Sequence, residues 1–251
     1  MTVLELYGAL SAHYPRELSC DWDNDGKMCV PDPMAEVTGV LCTLDVTEGA
    51  VDAATHAGAN VILSHHPLLF HPVASLTPET TEGRILLAAV RAGVAILSFH
   101  TRADAAVGGV NDLLCTRLGI RNTVPFADGI GRIGDYPAAT AEEFAHTVAE
   151  RLGAPLCTLG DAGRRVSRVA VLGGSGKSEV EAAIAAGADT FLSGRLSYES
   201  VNMASSLGIN LVEAGHFYTE ALLPRHWADE LLPALGIRAT YYHSCSVKVI
   251  G

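Results

Sequence analysis

The sequence predicts an α/β protein of two similar lobes, and three observations point that way. Short apolar runs alternate with Ala-rich stretches of helical period, the pattern of mixed or parallel sheets with helices on their faces. A stretch of the first half returns in the second without gaps. In each half the same order of elements closes on a His-x3-acid pair.

In chain order, Val37 to Leu44 reads as a buried strand, Glu48 to His56 as a helix ended by Gly58, and Val61 to Ser64 as the next strand. Thr80 to Arg91 reads as a helix stopped by Gly93, and Val94 to Leu97 as a third strand. Val166 to Ser193 then aligns on Val37 to Ser64 at an offset of 129, with ten of 28 positions identical. Ala-rich composition alone does not supply such a match, which points to a diverged internal duplication. From Asn122 to Arg165 the pattern is less transparent. Gly129, Gly131, Gly134 and Pro137 mark loops there, and Thr140 to Leu152 reads as a helix opened by the capping box Thr140-x-x-Glu143. The expected lobes are residues 1–124 and 125–251. Thr240 to Ile250 reads as a final strand that could return to either lobe.

Composition narrows the function. Of 251 residues, 49% are apolar and 18% charged, as in a compact folded chain rather than a disordered one. A net charge of −11 with dispersed Lys and Arg argues against a nucleic-acid or acidic-membrane surface. An anionic substrate would then need a local cation. The six cysteines are scattered, with no Cys-x2-Cys pair, which suits reduced thiols. Met1 to Gly8 has no basic region of the kind that opens a signal peptide, and no apolar run approaches the roughly 20 residues that cross a bilayer. The expectation is a cytoplasmic protein.

Chemistry concentrates in three places. His65-His66 closes the strand Val61 to Ser64, and His100-x3-Asp104 and His216-x3-Glu220 each follow a strand candidate. Four imidazoles and two carboxylates without a thiolate suit a catalytic divalent site of Zn, Mn, Fe, Co or Ni rather than a structural zinc. Taken singly, each pair is also what an ordinary surface or hydrogen-bonded histidine looks like; recurrence at matching places in two repeats is the stronger signal. Ligands in open α/β sheets gather beyond the carboxyl ends of the strands, so the expected site lies in the crevice between the lobes. It is asymmetric, because Gly194-Arg195 stands where the first lobe has His65-His66.

Two other motifs carry less. Asp21-Trp22-Asp23-Asn24-Asp25-Gly26 imitates the start of an EF-hand loop, but Asp32 replaces the usual Glu and Pro31 and Pro33 flank it, so a turn that lines or braces the site is the better reading. Gly173-Gly174-Ser175-Gly176-Lys177-Ser178 lacks the first glycine of a phosphate loop, where Val171 stands. It reads as a β-to-α connection, with anion binding as the alternative.

Four blocks in order resemble a known family: Trp22-Asp23-Asn24-x-Gly26, Ser64-His65-His66-Pro67-Leu68, His100-Thr101-x-x-Asp104 running on to Gly108-Gly109-Val110-Asn111-Asp112, and Ala214-Gly215-His216-x-x-x-Glu220. They are similar to the signature blocks of the dinuclear-metal-centre hexameric proteins, often named GTP cyclohydrolase 1 type 2 homologues. The resemblance spans nearly the whole chain. It implies a two-lobed α/β protomer in a toroidal homohexamer, a trimer of dimers, with two divalent metal ions per protomer. The implied metal ligands are His65, His66, Asp104, His216 and Glu220, with His100 beside them as a further ligand or as a group that orients a carboxylate. Val107 departs from the family's usual Pro, and Arg195 and Glu199 stand where an Asp and a His around Tyr198 are more usual.

The expected function is a metal-dependent hydrolase that opens the purine ring of GTP, with His100 or Tyr218 relaying protons and Arg195 or Lys177 contacting the triphosphate. A phosphoesterase acting on another phosphorylated small molecule, or a non-catalytic metal-binding or regulatory ring scaffold, are the alternatives.

Overall fold

The computed structural model describes residues 1–155, 157–160, 164–245 and 247. The chain packs into two compact units, the first joining Met1–Ala106 to Leu223–Ser246 and the second built on Val107–Leu222.

Unit 1 is a five-stranded sheet in the order β1-β4-β3-β2-β11, formed by β1 (Gly26–Cys29), β2 (Val40–Thr43), β3 (Val61–Ser64), β4 (Ala95–Ser98) and β11 (Ala239–Tyr242). The last four are parallel, and β1 runs antiparallel on the β4 edge. Its helices include α1 (Val3–His13), α2 (Glu48–His56), α3 (Thr81–Ala92) and α4 (Thr101–Ala105). Thr47 and Thr80 cap α2 and α3 by accepting from the amides of Ala50 and Gly83, and Gly93 ends α3 in the left-handed region. Strand alternation sends Leu41, Ile62 and Ile96 to one face, where they pack with Val51, Ala54, Ile85 and Ala89 of α2 and α3. Beyond β4, the buried ring of Phe99 lies 5.9 Å from that of Tyr14, whose hydroxyl accepts from Trp227 Nε1 at 3.0 Å.

Unit 2 holds a six-stranded sheet ordered β5-β6-β8-β9-β10-β7, from β5 (Arg121–Phe126), β6 (Gly131–Thr140), β7 (Thr158–Leu159), β8 (Arg165–Ser175), β9 (Thr190–Arg195) and β10 (Asn210–Glu213). Strands β8, β9 and β10 are parallel and the others antiparallel to their neighbours. Its helices are α5 (Val110–Leu118), α6 (Ala141–Leu152), α7 (Val180–Ala185), α8 (Tyr198–Leu207) and α9 (His216–Glu220). The capping box of α6 forms as expected, between Thr140 and Glu143.

The two sheets repeat a register. Val40, Leu41, Cys42 and Thr43 pair with Val61, Ile62, Leu63 and Ser64, and the residues 129 further on, Val169 to Leu172, pair with Thr190 to Ser193.

Two expectations are corrected. The glycine-rich stretch around residue 130 is a β5–β6 hairpin rather than loop. Gly131 and Gly134 sit in β6 because a Cβ on either would strike its neighbour, the Phe126 ring and the Arg121 carbonyl respectively. Pro137 is tolerated because β5 pairs with β6 only as far as Asp135 and the β6–β8 pairing is irregular between Asp135 and Ala139. The boundary between units also differs from 124/125. Helix α5 buries Val110, Leu114 and Leu118 and packs on β6, β8 and α6, so it belongs to unit 2. The chain then returns to unit 1 at Leu223, and β11 adds in parallel to β2. Of the expected strand Thr240 to Ile250, residues 246 and 248–250 lie outside the described residues.

Candidate metal centre

In unit 1 the donors gather at the carboxyl ends of β3 and β4. The parallel ladder continues one step past β3: the His65 amide donates to the Thr43 carbonyl at 3.2 Å and the His66 amide to the Leu44 carbonyl at 3.0 Å. This fixes the backbone of the pair where the chain leaves the sheet. His65 is fully buried and His66 half-buried, with ring centroids 5.2 Å apart. His100, on the residue before α4, stands 5.2 Å from His65 and 5.7 Å from His66 by ring centroid. Asp104, on α4, brings Oδ1 to 3.5 Å from His65 Nε2.

All three imidazoles are held alike. Nδ1 of His65 faces the Phe99 carbonyl at 2.9 Å, Nδ1 of His66 faces Asp45 Oδ1 at 2.7 Å, and Nδ1 of His100 faces Asp23 Oδ1 at 2.9 Å. Each partner is an acceptor, so each ring carries a proton on Nδ1, and in its neutral form the lone pair sits on Nε2. Histidines that bind metals are oriented in this way by a carbonyl or carboxylate on the far nitrogen. Ligand atoms of the three rings all lie within 4.8 Å of one another. Two donors about 2.1 Å from one ion stand some 3–4 Å apart, so small side-chain adjustments bring the set to coordination distance.

The braces are themselves braced. Asp23 Oδ2 accepts from the Thr101 amide at 3.0 Å and the Thr101 hydroxyl at 2.6 Å. Burial alone would raise this carboxyl, yet the hydrogen bond and charge of His100 and the two bonds from Thr101 hold it down at about 2. Asp25 takes the fully buried Arg102 Nε at 2.9 Å and the His100 amide at 3.3 Å, with Arg16 on its other oxygen. The Arg102 guanidinium lies 4.1 Å over the Phe99 ring. The Asp21–Asp25 turn is thus a brace for His100 and not an EF-hand. Asp45 exchanges two 3.2 Å bonds with Ser244 just after β11, so the returning strand also supports His66.

In unit 2 the donors sit on α9. His216 Nε2 lies 2.9 Å from Glu220 Oε2, with Glu220 buried and His216 half-exposed. Three glycines make room for them. A Cβ on Gly174 would strike the Glu220 carboxylate and stand 3.2 Å from His216 Nε2, and one on Gly194 would stand 2.6 Å from the Gly174 carbonyl and 2.7 Å from His216 Cα. A Cβ on Gly173 would meet the Glu220 side chain at 3.4 Å and Val110 at 2.7 Å. The Gly-rich run is therefore the seat of α9. The Gly174 amide donates to Thr219 Oγ1 at 3.1 Å, which ties that seat to the helix. Tyr218 lies on α9, Lys177 in the turn before α7 and Arg195 at the exposed end of β9; Val107 and Tyr198 are largely exposed.

The sequence pattern had not singled out Asp45, Phe99, Gly174 or Gly194 as parts of the site. An acidic residue one step past a strand that neighbours the His-His strand is the signal that could have found Asp45.

Comparison with known proteins gives the chain a family. The family model described as Duf34/NIF3 (NGG1p interacting factor 3) matches residues 1–242. The chain belongs to the Duf34/NIF3 family. Among its relatives, a GTP cyclohydrolase 1 type 2 homolog of Clostridium perfringens is 32% identical over 215 residues, 82% of each chain. The GTP cyclohydrolase 1 type 2 homolog of Streptomyces coelicolor is 33% identical over 230 residues, 86% of this chain and 80% of its own. The crystal structure of a Staphylococcus aureus hypothetical protein superposes with a TM-score of 0.91 at 24% identity, over 100% of this chain and 99% of that one, so it shares the Duf34/NIF3 fold. As in the sequence expectation, this is an α/β protein of mixed sheets flanked by helices. Among the described residues no helix is long and apolar enough to cross a membrane.

Proposed function

We propose that the protein is a dinuclear metal-dependent hydrolase resembling GTP cyclohydrolase 1 type 2. In this reading His65, His66, Asp104, His216 and Glu220 are the ligands of two divalent ions from the series Zn, Mn, Fe, Co and Ni. The observation that carries it is the common orientation of His65, His66 and His100, each with Nδ1 on an oxygen acceptor, together with ring nitrogens of the three that lie within 4.8 Å of one another. Core histidines that merely satisfy themselves have no reason to share that arrangement. The names of the C. perfringens and S. coelicolor relatives support the choice of reaction.

When bound, a pair of divalent cations supplies an acidified water and a seat for the electrophile. The chain's own groups do the rest. Asp45 and the Phe99 carbonyl keep His66 and His65 in the tautomer that offers Nε2, and burial of His65 and Glu220 excludes bulk water from their donor atoms. For GTP the reaction is addition of one water at C8 of the purine, which opens the five-membered ring to a formamide, and hydrolysis of that formamide by a second water, which releases formate and leaves the free amine. The Tyr218 hydroxyl is the proposed proton carrier, and Arg195 and Lys177 are the cations offered to the triphosphate. Assembly into a homohexamer belongs to the same reading and is checked by sedimentation.

The test is direct. Protein reconstituted with each metal in turn is incubated with GTP, and formate and purine absorbance are followed. Formate release by the wild type, lost in Glu220→Ala, is expected. Absence of formate with every metal would remove the cyclohydrolase assignment, and release of phosphate without formate would move it to phosphoester hydrolysis. A protein that binds metal and turns over neither would be the ring scaffold, a reading favoured by the family description, which names an interaction rather than a reaction.

A further inference from the structure

We propose that Trp22 and Phe70 form an aromatic platform that receives the face of a purine base, and that Glu82 selects guanine by accepting from its N1–H and 2-amino group. The inference deepens the proposed function by saying how the base is held, and it rests on that reading for placing a nucleotide there.

The platform is built from two loops of unit 1. Trp22 lies in the turn before β1, and Phe70 in residues 65–80, which join β3 to α3 without helix or strand. A connection of that length inside a compact unit usually serves a function. The two rings stand 6.0 Å apart by centroid, and both meet His100 edge-on, at 6.2 and 6.4 Å. Asn24 donates to the Leu69 carbonyl, which ties the loops together. The rings are thus held in place, yet they are left open: Trp22 is 62% exposed and Phe70 42%. An aromatic that serves a core hides its faces. Here Phe70 is tilted by 49° to the indole and His100 by 74°, so neither stacks on it and a ring face stays available. Every nucleobase has a π-face that such a ring can take, and a platform fixed before binding loses little entropy when it does.

Beside the platform the same loop walls a cleft of about 340 Å³, lined by Phe70 with Leu68, His71, Val73, Thr80 and Glu82 among others. That volume lies within the roughly 300–1,000 Å³ of small-molecule sites. Stacking accepts any base, so selection must come from the polar groups of the cleft. The Thr80 hydroxyl is already taken by the Gly83 amide as the cap of α3. The Glu82 carboxylate, in the first turn of that helix, has no hydrogen bond or ion pair among the described residues. Its two oxygens match two adjacent donors, which guanine presents as N1–H and the 2-amino group. Adenine turns the lone pair of N1 to the same place, and a carboxylate repels it.

The chain contains its own reporter. Of its two tryptophans, Trp227 is fully buried, so acrylamide quenching of the emission reports Trp22. Guanosine is titrated into the full-length protein, metal-reconstituted and chelator-treated in parallel, with the heat of binding and the quenching followed together. It carries no phosphate, so the signal reports the nucleoside and not an anion on a cation. The wild type is expected to bind guanosine with or without metal, to shield Trp22 from acrylamide, and to bind adenosine about tenfold more weakly. Trp22→Ala and Phe70→Ala are each expected to weaken guanosine binding about 5- to 100-fold with metal content unchanged, and Trp22→Phe to recover part of the loss. Glu82→Gln is expected to bring guanosine and adenosine to similar affinity while Trp22 is still shielded. Phe70→Ala, in a different loop from the Asp23 brace, decides the matter should Trp22→Ala fail to fold. Guanosine that fails to bind, binds without shielding Trp22, or binds Phe70→Ala as it binds wild type would overturn the platform. Quenching that responds to protein concentration and not to guanosine would make the pair a contact between copies, and would also overturn it. Equal affinity of the wild type for the two nucleosides would overturn the role of Glu82 alone. Formate release from GTP by a protein whose Trp22 guanosine never shields would remove this inference and keep the hydrolase reading; shielding without formate release would do the reverse.

Discussion

The ends of β3 and β9 occupy the same place in two registers that repeat at an offset of 129, and they do opposite things. Past β3 the chain places His65 and His66, with Asp45 across the neighbouring strand end to hold the second ring. The positions 129 residues on are Gly194, Arg195 and Gly174. There the glycines leave space into which α9 settles, and the donors arrive on that helix as His216 and Glu220. One strand end carries candidate donors and the other leaves room. Similar backbones therefore need not carry similar chemistry, and what makes room at the second end is the loss of a side chain at two positions, Gly174 for Asp45 and Gly194 for His65.

The largest effects should show where the two ends are alike. Leu63 and Leu192 are equivalent and fully buried, so Leu63→Ala and Leu192→Ala should each destabilise the protein by about 2–5 kcal/mol in urea unfolding. A large disparity between them would break the equivalence of the sheets. Next come the positions that differ. Gly174→Ala adds a methyl against the Glu220 carboxylate at a residue with φ of 65°, and should cost about 1–3 kcal/mol and loosen metal held by α9. Asp45→Asn, its counterpart in unit 1, should leave unfolding nearly unchanged and weaken metal binding about 10- to 100-fold, read by competition with a chromogenic chelator. If Asp45→Asn were as destabilising as Gly174→Ala, Asp45 would be a fold element rather than a brace.

A smaller effect concerns acid. The Asp23 carboxyl is held below its value of about 3.9 in an unfolded chain, so its contribution is complete above that value and is lost as pH falls from about 4 towards about 2. In metal-free protein, Asp23→Asn should flatten that part of the stability profile and leave the profile above pH 5 parallel to wild type. A wild-type profile already flat between 4 and 2 would contradict the ion pair with His100.

Much of this was legible in the sequence because it is local. The helix Glu48–His56 and the strand Val61–Ser64 follow from apolar period and a Thr or Gly at the boundary, and the donor pairs follow from residue type and spacing. Long-range closeness was not legible. That Asp23 reaches His100, 77 residues away, or that Ser244 supports Asp45 depends on which strands become neighbours, which no local pattern encodes. The β5–β6 hairpin was missed for a related reason. Its glycines are turn formers by type, but here they answer the close approach of Phe126 and of the Arg121 carbonyl, a property of the pairing and not of the segment.

The asymmetry between the two strand ends is tested most directly by equilibrium metal content, measured by elemental analysis of purified, reconstituted His66→Ala and Arg195→Ala. The expected result is at least one ion lost per protomer in His66→Ala and full wild-type content in Arg195→Ala. Full content in His66→Ala, or an equal loss in both variants, would contradict the assignment of metal donation to the end of β3 and of a donor-free seat to the end of β9.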